Sequence, residues 1–222
     1  MRTILLFLLA TTLLCTGTGA INKEKPCSET FSGKRREIVK TNIASGVQTT
    51  ITISELYNRP MPSEKTMKEK YKVTDKSGRS EPEKENVTII CWLYTYVHEG
   101  DGDYHLIIGS SSDKDKARFF SAEISGLPKK TSINYKYYNQ LKKARDQFKS
   151  LIADYSPCPS TYVQSLFDKP MKIEVTGNLY WDTEHAGGSC CSGTTRKKDG
   201  FVFKSESPWE IHPVTEIHPI ED

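Results

Sequence analysis

The sequence lacks a strong excess of charge of either sign, a Cys-x-x-Cys pair, and a long apolar run beyond its first 20 residues. Its 31 basic and 28 acidic side chains give a net charge of +3, which argues against a dedicated duplex-DNA-binding protein with its strongly basic face. Without Cys-x-x-Cys spacing, a zinc site of cysteine thiolates is not expected. P-loop, nucleophile-elbow and dinucleotide-binding glycine patterns are also missing. With 36% hydrophobic and 27% charged residues in 222, the composition is that of a folded protein of one medium domain or two small ones.

The first 20 residues have the pattern of a secretory signal peptide. Arg2 precedes an apolar run over residues 4–9, and small residues lead up to a predicted cleavage after Ala20. Cys15 suggests a lipoprotein instead, but a bacterial lipobox has a small residue directly before its cysteine, and here Leu14 stands there. We therefore expect an exported protein, periplasmic or secreted, with no transmembrane span after cleavage.

Six cysteines occur, and one of them lies in the predicted signal peptide. Export favours disulfides, and the odd number left means that at least one thiol is free or pairs elsewhere. Cys91 lies in a strand-like run and is predicted to be a small buried core residue. Cys158, Cys190 and Cys191 lie in loops, and we expect one bridge from Cys158 to Cys190 or Cys191.

The part of the chain before the predicted main domain forms an N-terminal extension over residues 21–70, which starts with a polar lead-in over residues 21–34. Thr49–Ile53 is predicted to be a short strand or extended segment. Residues 63–86 are dense in lysine and glutamate, a pattern typical of a solvated linker or an exposed strand edge. The main domain is predicted over residues 71–218.

The clearest local structure is a β-hairpin over Thr88–Gly109, whose turn is formed by residues 99–102. Placing Val97 opposite Tyr104 divides the side chains between two faces. The face predicted to be core carries Leu93, Thr95, Val97, Tyr104, Leu106 and Ile108. The other face carries Trp92, Tyr94, Tyr96, His98, Asp103, His105 and Ile107.

Further elements follow the hairpin in the order of an OB-fold. A third strand is predicted over Ala117–Ile124, a helix over Asn134–Tyr155, a fourth strand over Met171–Asp182 and a fifth over Trp209–Ile217. Three strands, a helix and two strands make a mainly β, five-stranded OB-fold-like barrel. Residues 186–200 would then be a cysteine-containing insertion before the last strand, in a connection that OB-folds use to grip ligands.

Four motifs occur in the chain in a distinctive order: HEGDGDYHLII over residues 98–108, SAEIS over residues 121–125, WDTEH over residues 181–185 and WEIHPV over residues 209–214. With them the sequence resembles, over roughly residues 35–218, a family of uncharacterised exported bacterial proteins. That family carries DGD(Y/L)HL, AEIP-like, FFD..H-like and (W/I)E(I/L)HPV motifs, and the usual proline is Ser125 here. The resemblance implies an OB-fold-like barrel and an exported location, and it carries no activity.

Five side chains of these motifs are candidates for one polar cluster: His105, Glu123, Asp182, His185 and His212. Imidazole and carboxylate groups are ordinary ligands of zinc and related divalent ions, and such an ion could activate water for hydrolysis. The alternative is a structural hydrogen-bond network in which carboxylates orient the histidines. The spacing favours the network, because neither a His-x-x-x-His nor a His-Glu-x-x-His pattern occurs.

A second candidate site is the aromatic face of the hairpin with nearby basic residues. Its members are Trp92, Tyr94, Tyr96, Arg118, Arg196 and Lys197. Stacked rings beside cations are typical of surfaces that bind single-stranded nucleic acid or an oligosaccharide. The alternative is that the rings pack beneath the N-terminal extension. A third hypothesis is an envelope structural or interaction protein, with a protein partner and no small ligand.

Overall fold

The computed structural model describes residues 27–163, 166, 168–182, 196–198, 201–203 and 205–221. The helices are α1 (Glu37–Lys40), α2 (Ile53–Tyr57), α3 (Glu64–Glu69) and α4 (Tyr138–Leu151), with 3-10 turns at Glu81–Lys84 and Ile133–Tyr137. The strands are β1 (Gln48–Thr50), β2 (Asn86–His98), β3 (Tyr104–Gly109), β4 (Phe119–Ile124), β5 (Met171–Trp181), β6 (Arg196–Lys198), β7 (Phe201–Phe203) and β8 (Ser205–Pro219). Among the described helices, none combines the length and apolar character needed to cross a membrane.

Five strands close into a barrel in the order β2, β3, β4, β8, β5 and back to β2. All neighbours are antiparallel except β4 and β8, which run parallel because α4 and β5 intervene between them in the chain. Strand β1 adds a sixth strand by pairing in parallel with the start of β2. This confirms the predicted five-stranded OB-fold-like barrel with its helix between the third and fourth strands.

The barrel core is built from the inward positions of its strands and is closed by helix α4. Leu93, Leu106, Phe120 and Ile211 are fully buried in it. Phe148 of α4 joins the same cluster, as the helical spacing of its apolar residues requires. The predicted helix begins in the structure as a 3-10 turn, and its α-helical part is shorter than predicted.

The predicted hairpin register is wrong in the half next to the turn. Val97 lies opposite His105, one residue away from the predicted partner Tyr104. The reason is an irregularity between Leu93 and Thr95, where β2 carries one extra residue and the pairing shifts by one. Because side chains alternate between the two faces of a strand, the β2 residues after the bulge point to the face opposite to the predicted one.

The bulge moves two tyrosines to places that simple alternation does not give. Tyr96 enters the main core, where its ring meets that of Phe148 at 5.2 Å between centroids. Tyr94 packs instead with Val97 and Phe119 in a smaller cluster on the outside of the barrel. Both tyrosines are fully buried.

The N-terminal extension packs more closely on the barrel than its composition predicts. Residues 63–86 are not a solvated linker, because Met67 and Val73 are buried in the main core and the charged residues of α3 point outward. Within the predicted lead-in, Phe31 is buried and donates its backbone N–H to Leu127. The predicted extended segment at Thr49–Ile53 holds only for its start, since β1 ends at Thr50 and α2 follows.

The predicted bridge from Cys158 to Cys190 or Cys191 is wrong, because a disulfide joins Cys158 to Cys27, with 5.5 Å between their Cα atoms. The predicted partners Cys190 and Cys191 lie outside the described residues. Cys27 lies beside the loop after α4 because the arm over residues 27–45 runs back across the barrel. Local sequence patterns do not predict such a long-range contact. Cys91 is a free, buried thiol, which confirms its predicted core position.

The Cys27–Cys158 bridge closes a loop with a sequence separation of 131 residues, so it restricts the unfolded chain strongly. We expect the double variant Cys27→Ser, Cys158→Ser to lose about 2–5 kcal/mol of unfolding free energy, measured by urea denaturation. The wild-type protein unfolded under reducing conditions should match the variant. An unchanged urea midpoint in both experiments would contradict this role for the bridge.

Candidate metal centre

Three neighbouring strands place a row of polar side chains on the outer surface of the barrel. His105 of β3 pairs with Glu123 of β4, and their neighbours Leu106 and Ala122 point into the core. On β8, Ile211 points into the core, so the residues before and after it, Glu210 and His212, point outward. The parallel pairing of Ala122 with Ile211 brings these side chains beside Glu123. The predicted faces of β4, and the outward position of His105, are confirmed.

This outer face is covered, so that its polar groups are removed from solvent. Five polar residues of this face are each at most 5% exposed: Asp103, His105, Glu123, Glu210 and His212. The cover consists of the N-terminal arm (residues 27–45) and the loop over residues 156–163. The arm supplies Lys40, and the loop supplies Tyr162. The polar cluster is therefore buried within the protein, although it lies on the outer face of the barrel strands.

Two arginines hold the arm in place, of which Arg36 is fully buried and Arg79 is partly buried. Arg36 forms a salt bridge with Glu83, and the exposed fraction of both side chains is 0%. Arg79 donates to the carbonyl oxygens of Val39 at 3.0 Å and of His212 at 2.6 Å, which links the arm directly to β8. Burial lowers the pKa of Arg79 to about 10, which still leaves it charged at neutral pH. Lys40 is thus fixed over the polar cluster by its neighbours in the chain.

The first ligand set consists of His105, Glu123 and Glu210, whose ligand atoms lie within 4.8 Å of one another. One ring nitrogen of His105 is already bound, since Nδ1 lies 2.9 Å from the Tyr162 hydroxyl and 3.6 Å from a carboxylate oxygen of Glu99. The other, Nε2, is buried and has no hydrogen-bond partner in the described part of the chain. Metal-binding histidines have this arrangement, with one nitrogen oriented by an acceptor and the other left for the metal.

The second ligand set consists of Asp103, Glu123 and His212, again within 4.8 Å, so the two sets share Glu123. His212 Nδ1 lies 2.6 Å from Glu123 Oε2, the distance of a close ion pair, and its Nε2 lies 3.6 Å from Asp103 Oδ2, which is longer than a hydrogen bond. Lys40 Nζ lies 3.5 Å from Glu123 Oε2 and 3.7 Å from Asp103 Oδ2. An ammonium group therefore stands beside this second set.

Burial and the neighbouring charges shift the pKa values of the cluster residues in different directions. Burial raises the pKa of Asp103 well above its usual value despite the nearby Lys40. Burial would also raise the pKa of Glu123, but Lys40 and His212 outweigh it and hold that pKa well below the usual range. Burial lowers the pKa of His105, but Glu99, Glu123 and Glu210 together raise it. Burial lowers the pKa of His212.

Of the residues predicted for this cluster, the structure brings together His105, Glu123 and His212. Asp182 lies at the end of β5, where its backbone N–H donates to Pro208, and it belongs to neither ligand set. His185 lies outside the described residues.

Glu210, Asp103 and Lys40 also belong to the cluster, although the sequence pattern did not predict them there. Glu210 and His212 stand two residues apart in one strand, so their shared face was a usable signal. Asp103 had been placed on the correct outer face of the hairpin but was not singled out. Lys40 lies in a four-residue helix, which is too short to show a helical pattern in the sequence.

The two tyrosines of the predicted ligand-binding face are buried in the structure. Tyr94 donates its hydroxyl to Ser111 and Tyr96 donates to Ser156, and neither ring has an exposed face on which a base or sugar could stack. Trp92 is partly buried beside Lys172. The guanidinium group of Arg118 lies 3.9 Å from the ring centre of Tyr57. Arg196 and Lys197 lie in β6, which pairs with β7 and not with the barrel.

Comparisons with protein-family models, with curated proteins and with solved structures found no match to this chain.

Proposed function

We propose that this protein is an exported binding protein for a divalent transition metal ion, held by His105, Glu123 and Glu210. The observation that carries the proposal is His105 Nε2, a buried ring nitrogen without a hydrogen-bond partner among the described residues. A ring nitrogen of His105 lies within 4.8 Å of ligand atoms of two buried carboxylates. Leaving a buried polar atom unpaired costs about 1–3 kcal/mol, and a metal ion bound to Nε2 removes that cost.

Charge supports the same proposal. The cluster brings the carboxyl groups of Asp103, Glu123 and Glu210 together in the protein interior, where Lys40 supplies one ammonium group beside them. Buried carboxylates are stable when they are paired, protonated or bound to a metal. A divalent cation between Glu123 and Glu210 would attract both carboxylates.

The ligand types favour zinc and related transition metals over calcium or magnesium. Imidazole nitrogen suits zinc, copper, iron and nickel, whereas calcium and magnesium prefer an all-oxygen shell. Three protein ligands also leave a coordination position open, as in catalytic zinc sites, so the hypothesis of a metal-dependent hydrolase depends on the same residues. Binding of single-stranded nucleic acid or an oligosaccharide, and docking to an envelope protein, stay predictions from the sequence.

We expect Zn²⁺ to raise the melting temperature of EDTA-treated protein, because an ion that binds only the folded state stabilises it. At a free concentration of 100 times Kd the gain is about 2.7 kcal/mol, or roughly 5–10 °C for a domain of this size. Ca²⁺ at the same concentration should produce little shift. The measurement is a thermal unfolding curve followed by circular dichroism.

The matched pair of variants for this experiment is His105→Gln and His218→Gln. His218 is exposed at the end of β8, so its variant should respond to Zn²⁺ as the wild type does. His105→Gln should lose the response. Equal shifts in the two variants, or no shift in the wild type, would overturn the proposed site.

A further inference from the structure

The second ligand set contains buried polar atoms that the proposed zinc site does not use. Asp103 Oδ2 and both ring nitrogens of His212 are buried, and none has a hydrogen-bond partner within the described ranges. These atoms lie close to one another and to Glu123, with 3.6 Å between Asp103 Oδ2 and His212 Nε2 and 2.6 Å between His212 Nδ1 and Glu123 Oε2. A set of this kind has the composition of a metal site, one imidazole and two carboxylates.

The ammonium group of Lys40 occupies the edge of this set. Its Nζ lies 3.5–3.9 Å from carboxylate oxygens of Glu123, Asp103 and Asp101. The Lys40 side chain is 16% exposed, compared with 0% for Asp103 and 6% for Glu123. On its other side the Tyr180 ring lies 5.9 Å away and adds a weak cation–π attraction. Lys40 is placed as a counter-ion for Asp103 and Glu123.

We propose that Asp103, Glu123 and His212 form a second cation subsite whose position the Lys40 ammonium group fills, and that removal of this ammonium lets a second divalent ion bind. The proposal rests on the proposed zinc site, because Glu123 belongs to both sets. A carboxylate has two oxygens and four lone-pair positions, so one glutamate can serve two cations. Lys40 then determines how many metal ions the centre takes.

The experiment is a zinc titration by isothermal calorimetry of EDTA-treated, dialysed protein, with the ion count checked by elemental analysis. The wild type should bind one Zn²⁺ per chain, and Lys40→Met should bind two. In that variant the affinity for the first ion should also rise by at least about tenfold, because a positive charge a few ångströms away has been removed. Adding Asp103→Asn to Lys40→Met should return the count to one.

The matched control is Lys143→Met, which removes a lysine from a surface pair with Glu216 and should leave the count at one. Should Lys40→Met fail to fold, Lys40→Gln keeps polarity at the position and makes the same test.

The outcomes separate the two proposals. A wild type that binds no Zn²⁺ overturns the zinc site and the second subsite with it. One ion in both the wild type and the Lys40 variant overturns the second subsite and leaves the first supported. Two ions in the wild type show that the ammonium group does not hold the position, which also overturns the inference.

Discussion

Replacing Glu123 by glutamine is expected to weaken zinc binding by at least about 100-fold and to destabilise the metal-free protein by about 3–5 kcal/mol. The loss of affinity follows because Glu123 is the carboxylate common to both ligand sets. Mutation of residues that only support metal ligands already costs about 10–100-fold, so loss of a shared ligand should cost at least the upper figure.

The metal-free protein is expected to lose stability because Lys40 and His212 hold the pKa of Glu123 well below its usual range, so the folded state favours the charged carboxylate. Glutamine removes that charge and leaves the Lys40 ammonium group with Asp103, with 3.7 Å between Nζ and Oδ2. Removing one partner of a buried ion pair costs about 3–5 kcal/mol, whether the cluster binds a metal or serves only as a structural network. The loss of zinc affinity is therefore the result that distinguishes the two roles.

Both quantities can be measured on the same preparations, with calorimetric titration for the affinity and urea denaturation in EDTA for the stability. Glu216→Gln is the matched control, since Glu216 lies on the surface in a pair with Lys143 and should change neither quantity appreciably. Destabilisation of Glu123→Gln without a loss of zinc affinity would favour the structural network over the metal site. Retained zinc affinity would contradict the shared ligand.

The second large effect concerns Glu83, and Glu83→Gln is expected to lose about 3–5 kcal/mol of unfolding free energy. The carboxylate is completely buried with Arg36, and it also accepts hydrogen bonds from the Ser80 hydroxyl and from the backbone N–H of Trp181. Glutamine cannot replace the charge, so the buried guanidinium group of Arg36 is left uncompensated.

The control for Glu83 lies in the same 3-10 turn. Glu81→Gln breaks an exposed pair with Lys84, and its side chain is 77% exposed, so a change of less than about 1 kcal/mol is expected. Urea denaturation of both variants makes the comparison. Similar stabilities for the two would show that the Arg36–Glu83 pair does not anchor the arm.

The Glu83 pair also predicts a pH dependence. Burial by itself raises the pKa of Glu83, but Arg36 and Ser80 outweigh it and lower that pKa below its usual value. The stability that the pair contributes is therefore complete above the pKa of an unfolded glutamate, about 4.3, and is lost as the pH falls through the lower folded value. The stability difference between wild type and Glu83→Gln should shrink over that acid range.

The order of elements was predictable because each barrel strand and the main helix carry their own periodicity. In β4, the alternation of Phe120, Ala122 and Ile124 with Glu123 placed the glutamate on the outer face correctly. The hairpin failed at one position, since nothing in the local pattern marks the bulge between Leu93 and Thr95. A single inserted residue was enough to move Tyr96 from the predicted ligand face into the core.

The arm was not predictable because its structure depends on long-range contacts. Helix α1 has four residues, follows Arg36 with a φ of 48°, and is too short to show a helical pattern. Its lysine reaches Glu123 only because the charges of Arg36 and Arg79 find partners more than 40 residues away. The sequence pattern therefore predicted the strand residues His105, Glu123 and His212 of the candidate centre, but it did not predict the segments that cover them.

The most direct test is X-ray diffraction from zinc-soaked crystals, recorded on both sides of the zinc absorption edge. The proposed site predicts one anomalous peak about 2.0–2.2 Å from His105 Nε2 and from carboxylate oxygens of Glu123 and Glu210. No peak at these atoms in protein saturated with Zn²⁺, or a peak only at surface histidines such as His218, would contradict it.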